Sequence, residues 1–145
     1  MQWKEAATAS HYQTAVAIKN TLSAGDVEEA AIGIEELIEA LGRSEKRALR
    51  SQLERLMIHI IKWKIQSQKR SRSWLSTIKD ARHQIEVIQE DTPSLTNNAL
   101  LEMWPKCFQH AKTIAEAETG VSCWLETVTW DEVFEQDFDN RDVPF

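Results

Sequence analysis

Apolar positions recur along this chain at spacings of three and four, the period of helices with one buried face. Period and punctuation together place five helical segments. The first runs from about Trp3 to Ser23, is rich in alanine and stops at Gly25. The second runs from Val27 to Leu41, with Asp26 as its N-cap and Gly42 as the residue that ends it. The third starts after Ser44 and reaches about Gln66, carrying Leu49, Leu53, Leu56, Ile60 and Trp63 on one face. Around Leu56 to Ile61 it is apolar on nearly every side, which predicts a central helix. The fourth starts near Ser71 or Ser73 and ends near Asp91, with Trp74, Ile78, Ala81, Ile85 and Ile88 as its apolar stripe. The fifth covers about Leu95 to Thr119 and ends at Gly120, and Pro105 is expected to kink or divide it. An irregular stretch with Trp124 and Trp130 follows, then a short helix from Asp131 to about Gln136. Short loops predict antiparallel packing of successive helices. The expected fold is therefore all-α: a single domain over residues 1–145, an antiparallel bundle of about five main helices plus a short C-terminal helix. The acidic tail from about residue 135 reads as a solvated end.

Composition narrows this little. The 145 residues are 42% apolar and 28% charged, ordinary values for a globular chain. A chain of that length buries roughly 68% of its unfolded surface and needs no disulfide framework. Cys107 and Cys123 read as reduced thiols in a cytoplasmic protein. The start of the chain lacks the apolar stretch of a signal sequence. Leu56 to Ile65 is interrupted by His59, Lys62 and Lys64, and is too short for the ~20 residues of a membrane span.

Charge changes the picture more. The net charge of −6 hides three blocks: residues 1–42 are acidic, residues 43–84 strongly basic, residues 85–145 strongly acidic. One reading is a nucleic-acid surface through Lys69, Arg70 and Arg72, with Trp63 and Trp74 for stacking. The favoured reading is internal neutralisation, because an acidic protein is repelled by phosphate. Trp63 and Trp74 also fall in phase with the apolar stripes.

The sharpest candidate lies on the third segment. Arg55, His59, Lys62 and Gln66 share one helical face among apolar neighbours. Charges on a largely buried helix need partners. Glu36 and Glu39, one turn apart, are the expected partners of His59, Lys62 or Arg82, with Thr77 adding a hydroxyl. Glu118 sits in the last turn of the fifth segment, where it opposes the helix dipole and calls for a cation of its own. Such a group is either a polar network that fixes packing or a site for a small ligand, a metal or acid–base chemistry. The packing reading is preferred. A di-iron bundle needs Glu-x-x-His twice, and Leu56 stands three residues before His59. Cys107, His110 and Cys123 make a weak zinc set without a Cys-x-x-Cys pair, and Cys107 beside His110 a weaker nucleophile. Gly25, Gly33 and Gly42 do not form a phosphate loop. No cofactor or metal is expected.

The motifs Leu41-Gly42-Arg43-Ser44-Glu45, His59-x-x-Lys62-Trp63-x-x-Gln66, Arg70-Ser71-Arg72-Ser73-Trp74-x-x-Thr77-Ile78-x-x-x-Arg82 and Glu116-x-Glu118-Thr119-Gly120 resemble one family. It is family 29 of the domains of unknown function, found in cyanobacteria and other bacteria. The resemblance covers nearly the whole chain. It implies a small, all-helical cytoplasmic protein and no particular activity. It also features the positions of Glu36, Glu39, His59, Lys62, Ser73, Trp74, Thr77 and Arg82. Ser67-Gln68 departs from the Pro-Glu common in the family, so the turn into the fourth segment is expected to differ.

The expectation for function is a non-enzymatic helical module that binds a protein partner, a second copy of the chain included. A ligand-binding or enzymatic bundle using Glu36, Glu39, His59, Lys62 and Arg82 is the first alternative. A nucleic-acid binder is the second, and a membrane is not expected.

Overall fold

Local capping signals set the helix ends. In the computed structural model, which describes residues 1–144, helix α1 spans Trp3–Ala9 and α2 spans His11–Ser23. The one helix expected there is divided at Ser10, whose backbone is extended. The Ser10 hydroxyl accepts from the Gln13 backbone N–H at 3.1 Å. Ser-x-x-Gln is the sequence of a capping box, and the alanine-rich pattern around it hid the signal. Gly25 then closes α2 at φ 90°, and Asp26 caps the next helix by accepting from Glu29 N–H at 3.2 Å.

Helix α3 spans Val27–Ile65 and is 39 residues long. It joins the second and third expected segments, so Gly42 ends nothing. Among the described residues only Gly25 and Gly120 have positive φ. Glycine inside a helix costs about 1 kcal/mol relative to alanine, a penalty that continued hydrogen bonding readily offsets. Glu39 and Arg43 pair across the glycine at 3.9 Å. Nothing lies within 4 Å of a Cβ added at Gly42. Gly42→Ala is therefore expected to raise stability by about 1 kcal/mol in a urea melt.

The chain forms two compact units, Met1–Arg47 and Ala48–Phe145. The first has a small core: Trp3, Ile18 and Ala30, with Ala17 and Leu37 packed against them. The Trp3 indole N–H donates to Glu29 at 2.7 Å. A Cβ at Gly33 would lie 2.8 Å from Ile18 and 3.0 Å from the Trp3 ring. Gly33→Ala is thus expected to destabilise by about 1 kcal/mol, the overpacking outweighing the helix-propensity gain. Opposite signs for Gly33→Ala and Gly42→Ala in the same assay check the packing directly.

The second unit is built on the C-terminal half of α3, on α4 (Arg72–Asp91) and on α5 (Asn97–Thr119). Leu49, Leu53, Leu56, Ile60 and Trp63 are all buried, joined by Met57 and Ile61, so this half of α3 is central as expected. Ile78, Ala81 and Ile85 of α4, and Leu100, Phe108 and Ala111 of α5, complete the core. Ser71 caps α4 by accepting from Trp74 N–H at 3.2 Å. Helix α5 runs undivided through Pro105, which sits on an exposed position. There the freed carbonyl one turn back can turn to water.

The segment after Gly120 is held rather than solvated. A short π-helical turn, Asp131–Glu135, follows a complete capping box. Thr129 N–H donates to Glu132 at 3.0 Å, and Glu132 N–H donates to the Thr129 hydroxyl at 3.2 Å. The tail beyond residue 135 is not simply a solvated end: Phe138 is buried and meets Trp63 edge-on at 5.5 Å. Its acidic neighbours Asp137 and Asp139 misled the composition-based reading. Among the described residues there is no strand, and no helix is long and apolar enough to cross a membrane.

Candidate functional site

The polar stripe of α3 is drawn into pairs within the second unit. His59 is half-buried, and its Nδ1 donates to the Arg55 carbonyl at 2.9 Å. Lys62 is nearly covered; its Nζ lies 2.9 Å from Glu118 and 4.9 Å from the centre of the Trp74 ring. The cation that Glu118 called for is thus Lys62. Arg55 pairs with Asp80 of α4 at 2.9 Å and also donates to Gln52 at 3.1 Å. Burial holds His59 below the ordinary imidazole pKa, with the Lys62 charge adding to the effect. Its neutral form is favoured in the fold, so the unfolded chain takes up the proton more readily. Stability is then complete above about pH 6.5 and falls as pH drops through and below that value. His59→Gln is expected to flatten this part of the slope, read as urea midpoints at about pH 5 and about pH 7.5.

The other expected members are divided between the two units. Glu36 and Glu39 belong to the first unit, and His59, Lys62 and Arg82 to the second. The segment that carries them is part of α3 and not a separate helix. Glu39 faces Arg43, and Glu36 keeps one carboxylate oxygen buried without a hydrogen-bond partner. Thr77 of α4 is half-buried. Arg82 holds the C-terminal segment: its Nε donates to the Val133 carbonyl at 2.7 Å and its Nη2 to the Glu132 carbonyl at 3.2 Å. Its guanidinium lies 5.3 Å from the centre of the Phe138 ring. It also lines a groove of about 300 Å³ with Lys79, His83, Glu86, Trp130 and Phe134.

Two pairings were missed from the sequence. Lys64 is ion-paired with Glu132. Burial alone would raise the Glu132 pKa, but Lys64 and the Thr129 donors outweigh it and hold the carboxyl below the usual range. The Thr-x-x-Glu capping box was the available signal. Glu54 of α3 accepts from His110 of α5 at 2.8 Å, and no pattern in the sequence pointed to that contact. Glu54 also sits beside Cys107, whose thiol is pushed up to about 12, chiefly by burial. A thiol held protonated is a poor nucleophile. Among the described residues no three His, Cys, Asp or Glu side chains are grouped as metal ligands, so Cys107, His110 and Cys123 are not a zinc set.

The basic block is partly spent on these contacts. Lys62 and Lys64 pair with acids of the C-terminal block. Arg70 donates to the Trp63 carbonyl at 2.9 Å and covers the Trp63 ring at 5.0 Å. Trp63 is buried and offers no face to a base, while Lys69 and Arg72 are exposed.

An exposed apolar row lies in the first unit. Val27, Ala31, Ile34, Ile38 and Leu41 follow one another at spacings of four, three, four and three along α3. That repeat forms one straight row on the helix surface. All five are exposed, Val27 at 63%, Ile34 at 44%, Ile38 at 58% and Leu41 at 42%. The neighbouring face of the same helix, with Ala30, Gly33 and Leu37, is the one packed against Trp3 and Ile18. The second segment's pattern, read only for its ends, already contained this row.

No curated protein and no solved structure matches the chain. The family model described as "Domain of unknown function DUF29" matches residues 8–139, and the chain belongs to that family.

Proposed function

We propose that this chain is a non-enzymatic helical module that binds protein through the exposed apolar row of α3. The row itself carries the reading. An ordered line of large aliphatic side chains left in water is costly, and such surfaces mark interaction sites. The polar cluster around His59 supports it from the other side, since Lys62, Glu118, Arg55 and Asp80 are already engaged with one another. Those side chains act in packing the second unit.

Cross-linking in cells that express the chain, read by mass spectrometry, tests this. Cross-links to protein are expected at Lys46, close to the row. They should vanish in Ile34→Glu and Ile38→Glu and persist in His59→Gln. Cross-links that ignore the row variants, or that depend on His59, would overturn the reading.

A further inference from the structure

We infer that the first unit holds a binding site for a tetrahedral dianion of the phosphate class, built where α1, α2 and α3 meet. The break at Ser10 positions it. Thr8 lies in the last turn of α1 and His11 opens α2. These two line one pocket with Ala40, Arg43, Ser44 and Arg47 of α3. All six residues belong to the unit Met1–Arg47. Positions 40, 43, 44 and 47 share one face of the helix by their spacing. Ala40 is buried and small, which leaves room between the longer side chains around it.

Three features set the ligand class. First, the lining carries an imidazole, two guanidiniums and two hydroxyls, and no carboxylate. Second, most of these donors are unspent. Among the described residues, the side chains of His11, Ser44 and Arg47 make no hydrogen bond or ion pair. The hydroxyls of Thr8, Thr14 and Thr21 in the same unit each donate to the carbonyl four residues back. Ser44 does not, so its hydroxyl is available to a ligand. Arg43 comes only within 3.9 Å of Glu39, beyond hydrogen-bond distance, and both side chains are exposed. Third, Arg43 and Arg47 stand one turn apart, where like charges oppose each other. An anion between them converts that repulsion into attraction, and the guanidinium fork matches phosphate oxygens two at a time. Size narrows the choice. The pocket measures about 190 Å³, below the roughly 300 Å³ at which sites for drug-sized ligands begin. It suits one phosphoryl group and not a whole nucleotide. Glu39 and Glu45 are the acids of the same stretch, and neither lines the pocket. More distant acids are largely screened beyond about 10 Å at 0.1 M salt. Inorganic phosphate and the phosphoryl end of a small monoester share this chemistry.

Nitrogen-15 NMR of the full chain, titrated with inorganic phosphate at ~50 mM salt, tests the site. Saturating shifts are expected at His11, Ser44 and the side-chain N–H groups of Arg43 and Arg47, with a dissociation constant below about 1 mM. Arg47→Gln should weaken binding about 10-fold. Arg47→Lys should weaken it less, since an ammonium keeps the charge but not the fork. Arg47 has no partner in the fold, so without phosphate Arg47→Gln should leave the urea midpoint unchanged or slightly raised. The same variant should lose most of the rise in midpoint that phosphate gives the parent chain. Glycerol phosphate serves as the second probe. Binding much weaker than that of inorganic phosphate assigns the site to the free ion, and equal or tighter binding to a monoester. Shifts that fail to saturate, that spread equally to the exposed Lys69 and Arg72, or that survive Arg47→Gln overturn the site. A fall in the midpoint of Arg47→Gln without phosphate would assign Arg47 to packing instead. The absence of shifts at about 10 mM phosphate also overturns the inference.

Discussion

Replacing Trp104 by alanine is expected to lower stability by about 3 kcal/mol, the largest effect of any single change considered for the second unit. The expectation follows from what this one side chain joins. Trp104 projects from α5 and stacks on Trp130 at 5.6 Å, and Phe134 tilts against both rings. Its indole N–H donates to the Val128 carbonyl at 2.9 Å. Alanine removes the ring contacts and leaves that carbonyl without its donor, and the two losses add. The segment after Gly120 has no long helix of its own to hold it. Amide hydrogen exchange should therefore accelerate at Val128 to Phe138 before it accelerates in α3. Trp104→Phe should recover most of the ring contacts and lose only the hydrogen bond, about 1 kcal/mol. A loss below 1 kcal/mol for alanine, with no local exchange, would show that the aromatic trio does not hold this segment.

How far the sequence carried depends on the kind of signal. The α4 boundaries were legible because Ser71 and Thr92-Pro93 are strong punctuation, and the central part of α3 because its apolar period has no rival. Gly42 misled because glycine is weak evidence: it ends a helix only where the chain turns, and here an exposed, ion-paired stretch let the helix continue. Ser10 misled in the opposite sense, since a capping box overrode a pattern that looked continuous. Of the stripe Arg55, His59, Lys62 and Gln66, the first three lie within α3 and Gln66 just beyond its end. Which acids the stripe meets was not legible, because that depends on how α4 and α5 lie against α3. Glu118 and Asp80 are the partners there, while Glu36 and Glu39 belong to the other unit. The apolar row was written in the sequence all along. It becomes informative only once the structure shows that its residues stay exposed while the adjacent face is covered.

Arg82→Met is expected to cost about 2 kcal/mol, and the reason separates packing from ligand binding. Arg82 and its contacts tie α4 to the π-helical turn: it donates to the carbonyls of Val133 and Glu132, and its charged plane covers the Phe138 ring. Methionine keeps much of the apolar stem, so packing loss is small. What goes is a pair of charge-assisted hydrogen bonds, and two carbonyls lose their donors. Arg82→Lys should recover less than half of the loss, because an ammonium cannot span both carbonyls as the guanidinium fork does. Lys64→Met, which removes the Glu132 ion pair, should be less than additive with Arg82→Met, since both side chains hold the same turn. An arginine kept for an anion in the neighbouring groove would behave differently. Its removal would leave stability nearly unchanged or raise it, because a cation beside Lys79 and His83 would be relieved of repulsion. Urea unfolding of the three variants, with the double-mutant cycle, decides between these outcomes. A destabilisation of the stated size with clear coupling to Lys64 assigns Arg82 to holding the C-terminal segment.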